Sequence, residues 1–295
     1  MPELPEVETV CRGLAPVLAG QTIESVRLRR PDLRFPLPDR FAERLEGRRV
    51  MTLSRRAKYI LAHLDDGNVL AMHLGMTGRF TVTPRESTTP EPLGDYVYGH
   101  GADAQHDHVV FRLKGGAIIT YNDARRFGYM SLIAAAGLAQ DPFFANLGVE
   151  PLSEALTPDY VAAKARGRKS DVKAFLMDQR IIAGLGNIYV CEALYRARIK
   201  PTLAAGRLAR QSGKPADAAL RLVPQIKAVL GEAIVAGGST LRDYQHTDGS
   251  AGSFQESFSV YGREGEPCLT AGCRGTVRRT TQAGRSTFHC PQCQR

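Results

Sequence analysis

Tyr59-Ile60-Leu61-Ala62-His63-Leu64-Asp65-Asp66-Gly67-Asn68-Val69-Leu70-Ala71-Met72-His73-Leu74 decides how the first half of this 295-residue chain is read. Two apolar runs flank Asp-Asp-Gly-Asn, whose members tolerate the backbone angles of a tight reversal, so the stretch is expected to form a β-hairpin. Similar runs surround it: residues 23–28 and 50–53 come before, and 109–113 and 117–121 follow, joined by Lys114-Gly115-Gly116. Ahead of them Val7, Val10, Leu14 and Val17 recur at helical spacing as far as Gly20, which places a helix at the N-terminus. The region to about Ile133 therefore reads as a β-sandwich or barrel with one N-terminal helix. Inside it, residues 84–105 contain Pro84, Pro90, Pro92, Gly94, Gly99 and Gly101 and are expected to form a long surface loop.

Past Gly137 the alternation fades into an Ala-rich and then Pro-containing stretch up to Pro158, the expected domain boundary. Residues 171–180, 187–199 and a segment ending near Val235 then read as helices. Pro224 is expected to start or bend the last of these, and Gly237-Gly238 to close it. Residues 240–258 read as a polar loop. The tail, 262–295, has too little apolar content to fold on burial alone.

With 43% apolar and 23% charged residues, the composition excludes wholesale disorder, a collagen-like repeat and a coiled coil. No apolar run reaches the roughly 18 to 20 residues of a membrane-spanning helix, and Glu3, Glu6 and Glu8 stand where a signal peptide would be basic. No membrane partner is expected, and the cytoplasm is the expected compartment. Lys and Arg number 39 against 30 Asp and Glu, a net charge of +9. That excess favours a polyanion such as nucleic acid, although a basic enzyme surface would carry the same excess.

Four of the six cysteines are grouped in the tail. Cys268 and Cys273 enclose four residues, Cys290 and Cys293 enclose two, and a Gly-Arg-Ser turn is expected in the 16 residues between the pairs. Two such knuckles suit one tetrahedral Zn²⁺, whose binding would supply the missing folding energy; four protein ligands leave no open position for catalysis. Disulfides or a redox pair are the alternatives, disfavoured in a chain with no export signal. The tail also holds six arginines, two glutamates and no lysine, a composition suited to phosphate contacts or simply to a solvated basic surface. Cys11 and Cys191 read as small buried residues.

At the N-terminus, removal of Met1 ahead of the proline at position 2 would expose a secondary α-amine. Its reference pKa of about 8, against about 10.4 for lysine, leaves a neutral nucleophilic fraction at physiological pH. An ordinary N-terminus would look the same. The run Pro2-Glu3-Leu4-Pro5-Glu6-Val7-Glu8-Thr9, however, resembles the start of the bacterial formamidopyrimidine-DNA glycosylases, whose endonuclease VIII-type relatives usually carry Gly where Leu4 stands. The likeness extends along the chain through Arg55-Arg56-Ala57-Lys58-Tyr59, His73-Leu74-Gly75-Met76, Asp123-Ala124-Arg125-Arg126-Phe127-Gly128, Gly184-Leu185-Gly186-Asn187-Ile188-Tyr189, Val260-Tyr261-Gly262-Arg263 and the cysteine tail. Two departures are the first knuckle, usually two residues rather than four, and the long 84–105 stretch.

The resemblance implies an α+β multidomain fold. An N-terminal β-sandwich with its helix (1–134) would be followed by a linker (135–150), a helical helix-two-turn-helix domain (151–261) with a lesion-recognition loop at about 239–258, and a four-cysteine zinc finger (262–295). It implies a bifunctional DNA glycosylase and AP lyase of base excision repair, excising 8-oxoguanine and formamidopyrimidines. Its partner would be double-stranded DNA holding an oxidised purine or abasic site, and it would act as a monomer. By the same resemblance Pro2 is the nucleophile, Glu3 the acid/base group with Glu6 in support, and Lys58 and Arg285 the residues that hold lesion phosphates and assist elimination. Met76, Arg125 and Phe127 would fill the void left by the extruded base, and His106, Arg125, Arg168 and Asn187 would contact DNA. Cys268, Cys273, Cys290 and Cys293 would hold zinc. Each side chain also has a plainer reading: a helix-end carboxylate for Glu3, a solvated amine for Lys58, core residues for Met76 and Phe127, a helix cap for Asn187. In His106-Asp107-His108, alternation turns Asp107 away from the histidines, against a metal site there. The rival functions are an oxidised-pyrimidine glycosylase of the endonuclease VIII type and a noncatalytic lesion-binding protein.

Overall fold

The computed structural model describes residues 2–85, 91–92, 103–239 and 254–295. It divides into two compact units. One comprises Met1–Ala145 with Ala236–Ser253, and the other Asn146–Val235 with Phe254–Arg295.

The first unit opens with helix α1 (Leu4–Leu18), followed by β1 (Ile23–Leu28), the short α2 (Phe41–Leu45), β2 (Val50–Arg56), β3 (Tyr59–Leu64), β4 (Asn68–His73), β5 (Arg79–Thr83), β6 (Glu91–Pro92), β7 (Asp107–Leu113), β8 (Ile118–Asn122) and β9 (Tyr129–Ala134). They form a five-stranded sheet ordered β1-β7-β8-β5-β6 and a four-stranded sheet ordered β2-β3-β4-β9. All the strand pairs are antiparallel. Ile23, Val109, Phe111 and Ile119 of one sheet share a buried core with Ile60, Leu70 and Met72 of the other, and Leu14 of α1 joins them. That shared core makes the unit a sandwich rather than a barrel.

The hairpin read from residues 59–74 is present, with the reversal at Asp65-Asp66-Gly67 and Asn68 already in the strand. Gly67 has φ +80°, and the Asp66 carboxylate accepts the Asn68 backbone N–H at 3.0 Å. Two of the strands, β5 and β9, do not stand out as separate runs in the sequence, and the stretch expected to be one loop from 84 to 105 contains β6, paired with Thr81 and Val82. The remainder of that stretch, 86–90 and 93–102, lies outside the described residues.

The second unit is helical: α3 (Pro158–Ala165), α4 (Val172–Met177), α5 (Asn187–Arg196) and α6 (Asp217–Val235). Helix α4 stops short of the expected Arg180 because the Asp178 carboxylate accepts the Arg180 backbone N–H and offers the chain a local turn instead. The helix α6 begins at Asp217, seven residues before Pro224, so the proline does not start it. Ala219, Leu222 and Val223 before the proline and Ile226, Val229 and Leu230 after it all bury on one side, and this burial outweighs the cost of about 3 kcal/mol for an interior proline. Every residue from Asn187 to Tyr195 is buried, making α5 the axis of the unit.

The unit ends in a hairpin, β10 (Arg278–Gln282) and β11 (Arg285–His289). The reversal is Ala283-Gly284, both at positive φ (47° and 72°), as a two-residue loop of type I′ requires. The expected Gly-Arg-Ser turn is thus corrected: Arg285 and Ser286 lie in the strand, with Arg285 opposite Gln282.

Candidate active site

Pro2 and Glu3 sit at the head of α1, where Glu3 is the N-cap and is 3% exposed. Glu3 and Glu6 form a capping box, in which the Glu6 carboxylate accepts the Glu3 backbone N–H at 2.7 Å. The other Glu6 oxygen accepts both the backbone N–H (2.9 Å) and the hydroxyl (3.1 Å) of Ser239. One buried carboxylate therefore holds the chain beside Pro2 and the residue that opens the expected lesion loop. Of that loop, 240–253 lie outside the described residues, and Phe254–Ser257 form a short 3-10 turn.

Lys58 is buried, with 8% exposure, in the two-residue reversal Ala57-Lys58 between β2 and β3. Ala57 takes φ +51°, a strained conformation for a residue with a Cβ. Arg55 braces the reversal by donating to the Ala57 carbonyl (2.8 Å) and to the Glu8 carboxylate of α1 (2.8 Å). Burial pushes the Glu8 carboxyl up, but hydrogen bonds from Arg55 and Arg12 outweigh it and hold the group below its ordinary value. Lys58 also acts on His73: burial first, then the Lys58 and Arg34 charges, push that imidazole down to about 4. The neutral ring accepts the Gly75 backbone N–H on Nδ1 at 3.0 Å and stacks on Tyr129.

Gly75 leads into Met76, which is half-buried at the tip between β4 and β5, while Arg125 and Phe127 are exposed on the neighbouring loop between β8 and β9. The Arg125 guanidinium lies 4.6 Å over the Phe127 ring. These tips line a cavity of about 520 Å³ together with Leu33, Arg34 and His73. His106 ends a 3-10 turn just before β7 and is half-buried. Among the described residues the only cluster able to hold a metal is the set of four tail cysteines. Asp107 instead accepts from Asn122, and His108 is buried with Nε2 against the Asp123 carbonyl.

In the second unit Asn187 is the first residue of α5, with its side-chain nitrogen 3.0 Å from the Ser286 carbonyl. Lys173, 1% exposed, donates to that same carbonyl (3.1 Å) and to the Thr287 hydroxyl (2.6 Å). The helical element thus grips the strand immediately after Arg285, whose own side chain is exposed. Arg168 is exposed, donating to the Lys164 carbonyl at 2.9 Å.

The four tail sulfurs lie within 4.8 Å of one another, with Cys268–Cys293 at 3.7 Å and Cys273–Cys290 at 3.8 Å. Four thiolates about 2.3 Å from one Zn²⁺ in a tetrahedron stand about 3.8 Å apart, so the set fits that ion. The longer first knuckle is tied back to α5: the Tyr195 hydroxyl lies 2.9 Å from the Thr270 hydroxyl and 3.4 Å from the Cys268 sulfur. Outside the set, burial pushes the Cys11 thiol up to about 11, which leaves it inert.

Several residues that shape the site carry no assignment from the sequence: Arg55, His73, Asp123, Lys173 and Glu192. The last is wholly buried in α5, and its carboxylate accepts the backbone N–H groups of Ser259, Val260 and Tyr261. An acidic or basic residue inside an otherwise apolar run, such as Lys173 in 172–176 or Glu192 in 188–194, is the available signal, since such charges are rarely buried unless paired.

Residues 1–130 match the formamidopyrimidine-DNA glycosylase N-terminal domain, and residues 147–245 match the formamidopyrimidine-DNA glycosylase H2TH domain. Formamidopyrimidine-DNA glycosylase of Methylobacterium nodulans is 58% identical over 294 residues, covering 100% of this chain and 99% of that one. The corresponding protein of Cereibacter sphaeroides is 56% identical, with full coverage of both. Among solved structures, the MutM (Fpg) protein from Thermus thermophilus superimposes with a TM-score of 0.80 at 38% identity, covering 99% of this chain and 98% of its own. The complex between Lactococcus lactis Fpg and DNA containing an abasic site gives 0.82 at 30% identity over the whole of both chains. The sandwich and the helical element each match a domain of one family, and the relatives cover the whole chain: the chain belongs to the formamidopyrimidine-DNA glycosylase family of DNA-repair enzymes.

Proposed function

We propose that the chain is a bifunctional DNA glycosylase and AP lyase that removes oxidised purines, 8-oxoguanine and formamidopyrimidines, from double-stranded DNA. The observation that carries this reading is the burial of Pro2 and Glu3 at the head of α1, with the Glu6 carboxylate fixing the backbone next to Pro2. With Met1 removed, the Pro2 nitrogen attacks C1′ of the damaged nucleotide, and the base leaves with a proton delivered by the Glu3 carboxyl. The Glu3 carboxylate then takes the proton from the Pro2 nitrogen and returns it to O4′ as the C1′–O4′ bond opens, and the resulting iminium acidifies C2′. Loss of that proton expels the 3′ phosphate, a second elimination expels the 5′ phosphate, and water then frees Pro2. Lys58 and Arg285 hold the phosphates at the lesion, and His106, Arg125, Arg168 and Asn187 make further DNA contacts. Met76, Arg125 and Phe127 occupy the void left by the extruded nucleotide.

Cys268, Cys273, Cys290 and Cys293 would hold one Zn²⁺, which gives the tail its fold and takes no part in the reaction. We assign the N-terminal domain to 1–134, a linker to 135–150, the helical domain to 151–261 with its lesion loop at about 239–258, and the finger to 262–295. The protein works as a monomer in the cytoplasm; among the described residues no helix is long and apolar enough to cross a membrane.

Borohydride trapping on abasic DNA tests the reading. A covalent adduct mapping to residue 2 is expected, and it should disappear when the N-terminus is extended by a non-cleavable tag. Absence of an adduct at every pH would overturn the mechanism and favour a noncatalytic lesion binder. Preferential excision of thymine glycol over 8-oxoguanine would overturn the purine assignment in favour of an endonuclease VIII-type activity.

A further inference from the structure

We propose that Asp123 is a positioning residue that fastens the loop carrying Met76 to the loop carrying Arg125 and Phe127, so that the three side chains meet DNA as one preformed wedge. The inference rests on the void-filling reading of those three residues and concerns what holds them in place.

Asp123 follows β8 and is wholly buried. One carboxylate oxygen accepts the hydroxyl of Thr77, in the Met76 loop. The other accepts the backbone N–H of Gly128 at 2.8 Å, at the far end of the Phe127 loop, and the Tyr121 hydroxyl at 3.2 Å. Thr77 closes the link, because its hydroxyl oxygen also accepts the Arg125 backbone N–H at 3.2 Å. The Asp123 carbonyl in turn accepts the Arg126 backbone N–H at 3.2 Å, where the chain takes φ +53°. A buried carboxylate is tolerated when such donors satisfy it, and satisfied networks of this kind specify one geometry.

Close packing enforces the same registration. A Cβ on Gly75 would come within 2.3 Å of the Gly128 nitrogen and the Phe127 carbonyl carbon, and one on Gly128 would come within 2.6 Å of the His73 carbonyl oxygen. At Gly75 the two loops therefore approach backbone to backbone, and the hydrogen bonds through Thr77 and Asp123 add a directional tie. A wedge fixed in advance avoids the ordering cost of forming it at the moment of base extrusion.

Removing Asp123 itself would strand three donors and threaten the fold, so the test uses Thr77→Val, which keeps the shape and loses both hydrogen bonds, with Thr77→Ser as the conservative partner. Two substrates separate positioning from chemistry: a duplex with 8-oxoguanine opposite cytosine, where a void must be filled, and a single strand with an abasic site, where none exists. Thr77→Val should lower kcat/KM on the duplex about 10- to 100-fold, the scale of a wedge misplaced by about an ångström, and change single-strand nicking by less than about 3-fold. Thr77→Ser should keep both. A Thr77→Val protein that melts like wild type and processes the duplex normally, or that loses both activities equally, would overturn the inference. Met76→Ala run alongside distinguishes the failures. If it spares duplex activity, the void-filling reading falls and this inference with it; if it loses duplex activity while Thr77→Val does not, only the fastening falls.

Discussion

The sandwich of the first unit and the cysteine tail of the second reach order by opposite means. The sandwich buries Ile23, Val50, Ile60, Val109 and their neighbours between two sheets and under α1, and its polar site residues are positioned by what that core already fixes. The tail hairpin has four of five β10 residues exposed and rests on a small cluster around Tyr195, Val260 and Phe288. Where apolar area is plentiful, a few buried charges can be carried; where it is scarce, the fold needs another tie, and the four clustered cysteines could hold a metal ion that supplies it.

The largest break in this comparison should come from the tail. Removing zinc with a strong chelator, or replacing Cys290 with Ser, should unfold residues 262–295, since structural zinc contributes on the order of 10 kcal/mol or more to so small an element. The far-ultraviolet spectrum of the sandwich should survive while zinc release and DNA affinity report the loss. If the tail stayed folded without metal, its own burial would suffice to hold it and the zinc reading would fall.

In the sandwich the matching change is a core truncation. Leu14→Ala on α1, at a fully buried position, should cost about 2 to 5 kcal/mol, read as a lower urea midpoint at unchanged slope. That would weaken the unit without abolishing it.

A third test uses His73. Its folded value of about 4 lies below the ordinary 6.5, so between those values the unfolded chain takes up a proton that the folded chain does not. Stability from this group is complete above pH 6.5 and declines as pH falls towards 4, by up to about 3 kcal/mol. Urea titrations over that window should show the slope flattened in His73→Gln, and an unchanged slope would refute the assignment. The smallest effect is expected at Arg12→Ala. The Arg12–Glu8 pair spans 2.7 Å, but the arginine side chain is 65% exposed, so the loss should stay below about 0.5 kcal/mol in a thermal melt.

How legible each part was follows from the range of the interactions involved. The strand Ile23–Leu28 and the helix Leu4–Leu18 announce themselves because their periodicity is local, and the four cysteines because two short spacings already constrain the ligands. For Lys58 the sequence offers only a motif; the brace on its reversal, Arg55 reaching both the Ala57 carbonyl and Glu8, joins residues 47 positions apart. Pro224 left two readings open, a start or a bend, and the start is excluded only by burial that the packed helix reveals. Arg285 moved from turn to strand because the two positive φ angles fell on Ala283 and Gly284, and the alanine carries no sign of it.

By itself the sequence determined the class of each half, the paired cysteine knuckles, the basic character and, through its motifs, the family. Tertiary structure alone decided that Glu6 joins the Pro2 end of the chain to Ser239, 233 residues away, that Lys173 and Asn187 share the Ser286 carbonyl, and that Asp123 ties two loops together. Those contacts depend on distance and direction in three dimensions, and a single buried carboxylate or ammonium has no periodicity by which one chain could reveal its partners.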